Sequence, residues 1–169
     1  MAIKLLEAIS LAIFPILSMS DFINEFANTL IFNKLATEHN IVGCSSAEID
    51  IIEQIFDIRL PELYKNFLQK MGHQAGRFGQ GTDMFYQHLI DNQEGFQELL
   101  QEDEVVFELD KNFFVISSHQ GYIYHFFDIV EDLIDPPIYG YMEGDFKVKQ
   151  TNSRFSDFLL GNLKEELSL

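Results

Sequence analysis

Five histidines, a pair of adjacent serines and a surplus of carboxylates are the side chains of this 169-residue sequence with chemistry to offer. His39, His73, His88, His119 and His125 show neither a His-Glu-x-x-His pattern nor a close pair, the spacings that bring imidazoles together on a metal. His119 and His125 could approach across a hairpin, but the simpler reading is a turn residue and a strand-face residue. Ser117, Ser118 and His119 are neighbours in sequence, whereas a catalytic triad is made by side chains that converge in space, and no nucleophile-elbow pattern is present. Carboxylate pairs such as Glu131 and Asp132 suit acid–base chemistry, yet 27 acids in one chain make chance pairs expected. Gly76-Arg77-Phe78-Gly79-Gln80-Gly81 lacks the Lys-Ser/Thr ending of a phosphate loop and follows no strand, so it reads as a plain loop. Cys44 precedes a helix start, a place where a thiol pKa can fall. It is the single cysteine, which excludes an internal disulfide and fits a reducing compartment. No catalytic residue, metal ligand or cofactor site is assigned, and an enzyme is the least supported class.

The acids are more informative as a distribution. Residues 91 to 110 hold Asp91, Glu94, Glu98, Glu102, Asp103, Glu104, Glu108 and Asp110 with no Lys or Arg. Residues 128 to 145 hold Asp128, Glu131, Asp132, Asp135, Glu143 and Asp145, again with none, and Tyr139 and Tyr141 lie among them. The whole chain carries a formal charge of −16. Such a field repels nucleic acid and anionic membrane surfaces and draws a basic partner, while aromatics among the charges are the residues that interfaces use as anchors. The expected contact residues are therefore Glu102, Asp103, Glu104, Glu131, Asp132, Asp135, Tyr139, Tyr141 and Glu143. The competing reading is that the tyrosines are core and the acids merely solvated.

The elements that must position these residues are organised around Ser45 to Gly72. Ser45 and Glu48 have capping-box spacing. Ile49, Ile52, Ile55 and Phe56 then recur at helical spacing and predict one buried face. Pro61 suits the first turn of a second helix, whose apolar stripe is Leu60, Leu63, Tyr64, Phe67, Leu68 and Met71, and Gly72 can take the left-handed conformation that closes it. Before this hairpin, residues 20 to 37 predict a helix with Phe22, Phe26 and Leu30 at steps of four. After it come the glycine-rich loop, a short helix or turn-rich segment over 91 to 101, and a run of strands. These are 105–109, 113–117, 122–127, 138–142 and 146–149, with 113 to 127 forming a hairpin. Asn152 or Ser153 would cap a last helix with Phe155, Phe158, Leu159 and Leu163 on its apolar face. Helices, a strand meander and a closing helix make an α+β domain. At 47% apolar the chain supports one sizeable core.

The hairpin resembles the signature of the SUKH superfamily, whose namesakes are the Smi/Knr regulators of cell-wall synthesis in yeast and whose bacterial members are largely immunity proteins against delivered toxins. The residues that carry the resemblance are Glu48, Ile52, Leu60, Pro61, Tyr64, Phe67, Leu68 and Gly72. Phe114-Val-Ile-Ser, the His119-Gln-Gly turn, Tyr122 to Phe127, Asp135-Pro-Pro-Ile-Tyr and Ser153-Arg-Phe-Ser-Asp-Phe-Leu fall where similar elements fall in that family, so the likeness covers residues 40 to 163. The chain departs from the family in having no Trp and in its first 40 residues. The resemblance implies a central, mainly antiparallel sheet with helices around it, over 41–169, and a helical extension, 1–40, packed on that domain. It implies a non-enzymatic immunity protein that seals a cognate toxin, and the charge makes that toxin basic, a nuclease for example. The alternative is a regulatory adaptor of the Smi/Knr type. Residues 1–20 carry a lone Lys4, an apolar run interrupted by Glu7 and a small-residue ending at Ser18 and Ser20, a weak signal-peptide pattern too short to span a bilayer. The expectation is a cytoplasmic protein with a protein partner, and neither nucleic acid nor membrane.

Overall fold

A computed structural model describes residues 19–105, 113–129, 134–145, 147–152 and 154–168. In chain order the elements are helix α1 (Met19–Phe32), strand β1 (Ile41–Val42), α2 (Ser46–Phe56), α3 (Glu62–Met71), β2 (Gln74–Ala75) and α4 (Leu89–Glu102). Strands β3 (Phe113–His119), β4 (Ile123–Asp128), β5 (Ile138–Met142) and β6 (Lys149–Asn152) follow, then α5 (Phe155–Glu166). The fold is α+β, with two antiparallel sheets: β1 pairs with β2, and the other four run in the order β3-β4-β5-β6. The strand expected over 105–109 lies mostly outside the described residues. The last strand begins at Lys149 rather than 146, three residues later than the sequence implied.

The hairpin of α2 and α3 is closed at its ends. Ser45 Oγ accepts from the Glu48 N–H, and the Glu48 carboxylate accepts from the Ser45 N–H at 2.8 Å, the reciprocal pair that the spacing predicted. Pro61 sits just ahead of the first turn of α3 as its N-cap residue. Leu60, also ahead of the helix, is nevertheless buried, and its N–H donates to Glu53 Oε1 at 2.8 Å. At the far end Ile41 faces Ala75 and Val42 faces Gln74, while the Cys44 N–H donates to the Leu68 carbonyl at 2.8 Å. This brings two backbones into contact. A Cβ on Gly43 would fall 1.7 Å from the Gln69 carbonyl oxygen, and one on Gly72 would fall 2.5 Å from Cys44 Sγ. Gly72 has φ −65°, ordinary right-handed backbone, so its role is close approach and not the left-handed closure expected from its place after a helix. Cys44 is buried by the same contact, and burial, with Glu48 adding to it, pushes its thiol up to about 12. The shift is opposite to the lowering that a helix start can give, and its causes are desolvation of the thiolate and the nearby Glu48 charge.

The four-stranded sheet has a helical layer on each face. On one face Phe114, Ile116, Phe127 and Ile138 belong to one core cluster with apolar residues of α2, α3 and α5. The other packs Val115, Tyr124, Phe126 and Tyr141 against Phe96, Leu99 and Leu100 of α4. Phe22, Ile23, Phe26, Ala27 and Leu30 of α1 join the larger cluster. At its centre Tyr64 meets Phe127, Phe155, Phe67 and Phe114 with ring centroids 5.2, 5.4, 6.1 and 6.1 Å away. One residue of the predicted core is elsewhere. Ile49 and Ile52 are buried and Phe56 is half-buried, but Ile55 is 52% exposed.

Short-range bonds tie the layers together. The Ile134 carbonyl accepts from the Leu63 N–H at the start of α3 (3.1 Å), and the next residue, Asp135, accepts from the backbone N–H and hydroxyl of Ser156 at the start of α5 (3.0 and 2.6 Å). The cap expected from Asn152 or Ser153 is thus supplied from across the chain; Asn152 belongs to β6, and Ser153 lies outside the described residues. The outer margin of β3 is covered. The Gln93 side-chain amide pairs with both the N–H and the carbonyl of Val115 at 2.8 Å, and Asp83 pairs its backbone with that of Ser118. At the opposite margin β6 is polar and largely exposed.

Tyr64 Oη is buried without a hydrogen-bond partner among the described residues. A hydroxyl in that position contributes desolvation cost and no bond. Tyr64→Phe is expected to leave stability in urea unchanged or to raise it by about 1 kcal/mol. A loss of more than about 2 kcal/mol would instead give the hydroxyl a bonded partner, such as an internal water.

Candidate partner-binding site

Helix α4 crosses the outer face of the sheet from β3 towards β5, anchored at one end by Gln93 on Val115. Its other end runs into the turn after β5. Asp103 closes the helix, and its carboxylate accepts from Tyr141 Oη at 2.6 Å and from the Gly144 N–H at 2.8 Å. The Asp145 carbonyl also lies 2.8 Å from Tyr141 Oη and shares its single proton with Asp103, and Asp145 holds Lys149 at 2.9 Å. The two acidic stretches are thereby joined at one end of the sheet, through residues 41 positions apart in sequence. Glu102, Glu104 and Glu143 are exposed there, and Glu104 stands on left-handed backbone at φ +53° just past the helix. The Glu143 N–H donates to the Tyr122 carbonyl, which brings the β3–β4 turn alongside, and Met142, 46% exposed, adds apolar surface.

The nine expected contact residues separate into groups. Glu102, Glu104 and Glu143 point into solvent at this end. Asp103 is beside them but engaged in holding the turn, and the Tyr141 and Gly144 bonds keep its carboxyl below the usual carboxylate range. Tyr141 is core, 1% exposed, and burial, with Asp103 second, pushes its hydroxyl above the ordinary tyrosine range. Tyr139 is half-buried on the α4 face, stacked on Phe126 at 6.0 Å. Asp135 lies at the other end of β5 as the cap of α5, and burial outweighs its bonds to Ser156 and raises its pKa. Glu131 and Asp132 lie outside the described residues. The sequence missed the clasp itself: acids in the turn and at the helix end were visible, but not that one of them is bonded inward.

Among the described residues, the histidines and serines singled out by the sequence lie apart except for Ser117 and His125. Ser117 Oγ is 3.2 Å from His125 Nδ1, but Ser117 is fully buried, the ring rests on Phe158, and no carboxylate bonds it among the described residues. His119 turns away onto Tyr122. His73 Nε2 meets Glu48 Oε1 at 2.9 Å and stacks edgewise on Tyr86, joining the cap of α2 to the segment after α3. Among the described residues no three His, Cys, Asp or Glu side chains are grouped to hold a metal, and no helix is long and apolar enough to cross a membrane.

Two outcomes follow from these bonds. Tyr141→Phe is expected to raise the Asp103 pKa, read by carboxyl NMR titration, because the first of its two donors is lost. Burial, with a smaller effect of His119, pushes His125 down from 6.5 to about 4. A depressed histidine favours the neutral ring in the fold, so its contribution is complete above pH 6.5 and lost as pH falls towards 4. Comparing wild type with His125→Gln in urea should give a component of about 3 kcal/mol that disappears across that window. Parallel pH dependence of the two proteins would refute it.

Compared with known families, the chain matches the SMI1/KNR4 family (SUKH-1) over residues 43–161, from the glycine that lies against α3 to the middle of α5. No curated protein matches it.

Proposed function

The chain belongs to the SMI1/KNR4 family (SUKH-1), and from that premise we propose that it is an immunity protein that neutralises a basic toxin domain by covering the toxin's site. Members of the family typically act by binding protein partners, which accounts for a fold whose catalytic residue types are dispersed. The observation that carries the choice of partner is the convergence of Glu102, Glu104 and Glu143 at one end of the sheet in a chain of formal charge −16. Asp103 contributes by fixing that end, and Met142 gives the charges an apolar neighbour. Steering by like-signed charges speeds encounter with a basic surface, and occlusion requires no bond to be made or broken. The alternative is an adaptor of the Smi/Knr type with an endogenous partner; the same surface serves it, and the identity of the partner separates the two.

Affinity capture of the tagged protein from its native cells, followed by mass spectrometry, decides between them. A stoichiometric basic domain from a large secreted protein supports immunity, and a regulator of cell-wall synthesis supports the adaptor. With the captured partner in hand, reversing Glu102, Glu104 and Glu143 to Lys is expected to slow association about tenfold at low salt, with the difference shrinking as salt is added. An unchanged on-rate removes this end of the sheet from the interface.

A further inference from the structure

Helix α4 carries charges that work against it. Glu94, Glu98 and Glu102 are exposed and stand four residues apart, so like charges line one face. Asp103 and Glu104 follow at the C-terminal end, where a helix favours cations, and the last turn holds no basic residue. None of the three glutamates has an ion-pair partner among the described residues. His88 supplies no side-chain cap at the other end, and Gly95 weakens the middle. That glycine is required, since a Cβ there would fall 2.7 Å from Tyr124 Oη.

What holds α4 is unevenly distributed along it. Leu89, its first residue, belongs to the larger cluster, and Asn92 and Gln93 tie the next turn to the Asp83 carbonyl and to Val115. Beyond Gly95, Phe96, Leu99 and Leu100 enter the smaller cluster alone, and the helix ends on the bonds that Asp103 accepts from Tyr141 and Gly144. No residue from 95 to 104 belongs to the larger cluster, so this segment can leave the sheet while Tyr64 and its rings stay packed. A layer with its own small core and few ties to the rest is a cooperative unit smaller than the fold. Opening it relieves the repulsion among the glutamates and carries Glu102 and Glu104 away from Glu143. A cation set among those three therefore interacts more strongly with the closed arrangement than with the open one, and only that difference shifts the balance.

We infer that residues 95–104 form a strap over the outer face of the sheet, hinged at Gly95, which opens ahead of the rest of the fold in the free chain and is held closed by the basic partner. This rests on the reading above that the acidic end meets a basic protein, and it adds the regulation of that surface.

The test follows amide hydrogen exchange by NMR in the full chain, with tetralysine as the basic probe at low ionic strength. Amides of residues 96–102 are expected to exchange about tenfold faster, or more, than those of residues 64–70 in α3. Tetralysine is expected to slow them about tenfold and to leave α3 unchanged. Glu98→Gln with Glu102→Gln should slow them without peptide, because the column of charge is broken. Glu165→Gln with Glu166→Gln, which removes the same charge from α5, should not. If the first pair disturbs the amide spectrum, Glu94→Gln alone should give the same slowing at smaller size. Equal protection of α4 and α3 would overturn the inference. So would equal effects of the two pairs, no slowing by tetralysine, or slowing spread evenly over both helices. Toxin protection is scored separately. A chain whose strap closes on tetralysine yet shields no toxin keeps this inference and loses the immunity reading, and the reverse result does the opposite.

Discussion

The contact between the backbone at Gly43 and the last turn of α3 is the constraint from which the rest of the fold is built. Two chain segments pass closer than any side chain would allow, and the Cys44 N–H uses the shortened distance to reach the Leu68 carbonyl. That contact turns β1, α2, α3 and β2 into a closed unit whose two ends are paired. It fixes which side of α3 faces the sheet, and hence places Tyr64 where rings from α3, β3, β4 and α5 meet. It also makes Cys44 a packing residue, its thiol shielded beneath the same junction. A methyl group added at Gly43 would push on backbone atoms that have no rotamer to escape into, so the surrounding helix would have to move.

The second organising feature is the chain just before β5. Ile134 and Asp135, consecutive residues, satisfy the starts of α3 and α5. Helix starts carry unpaired N–H groups, and meeting them from a connection between strands couples the helical layer to the sheet. On the other face α4 is held at both ends, by Gln93 on Val115 and by Asp103 on Tyr141 and Gly144. The exposed carboxylates around Asp103 are therefore carried on supported backbone. A partner that meets them need not order a loop first, which keeps the entropic cost of association low.

What the sequence revealed and what it hid divide by the range of the interaction. The capping box of Ser45 and Glu48 spans three residues, and it was legible because both partners lie within one turn. The α+β order and the 113–127 hairpin were legible because alternation and turn residues are local signals. The cap of α5 was not, since Asp135 and Ser156 are 21 residues apart and the nearer Asn152 had equally suitable chemistry. Ile55 shows the limit of periodicity: a helix apolar on two faces has two candidate core sides, and only packing against α3 and β3 selects between them. At Gly72 the left-handed closure expected from its place does not occur; the glycine is needed for close approach to Cys44 and Leu68, because spacing shows where a helix ends but not what crosses it. Among the acids, sequence located the stretches that converge, while the distinction between Glu104, which faces outward, and Asp103, which faces inward, depends on a tyrosine 38 positions away.

The margins of the larger sheet differ. Side-chain and backbone groups from Gln93 and Asp83 occupy β3 at Val115 and Ser118, whereas Lys149 to Asn152 form a polar, exposed border on β6. A filament built by strand addition needs two open borders per molecule, one to receive and one to be received. A ribbon sealed along one border can be extended only once. If two copies ever met through their β6 strands, each would close the other, and growth would stop at a pair.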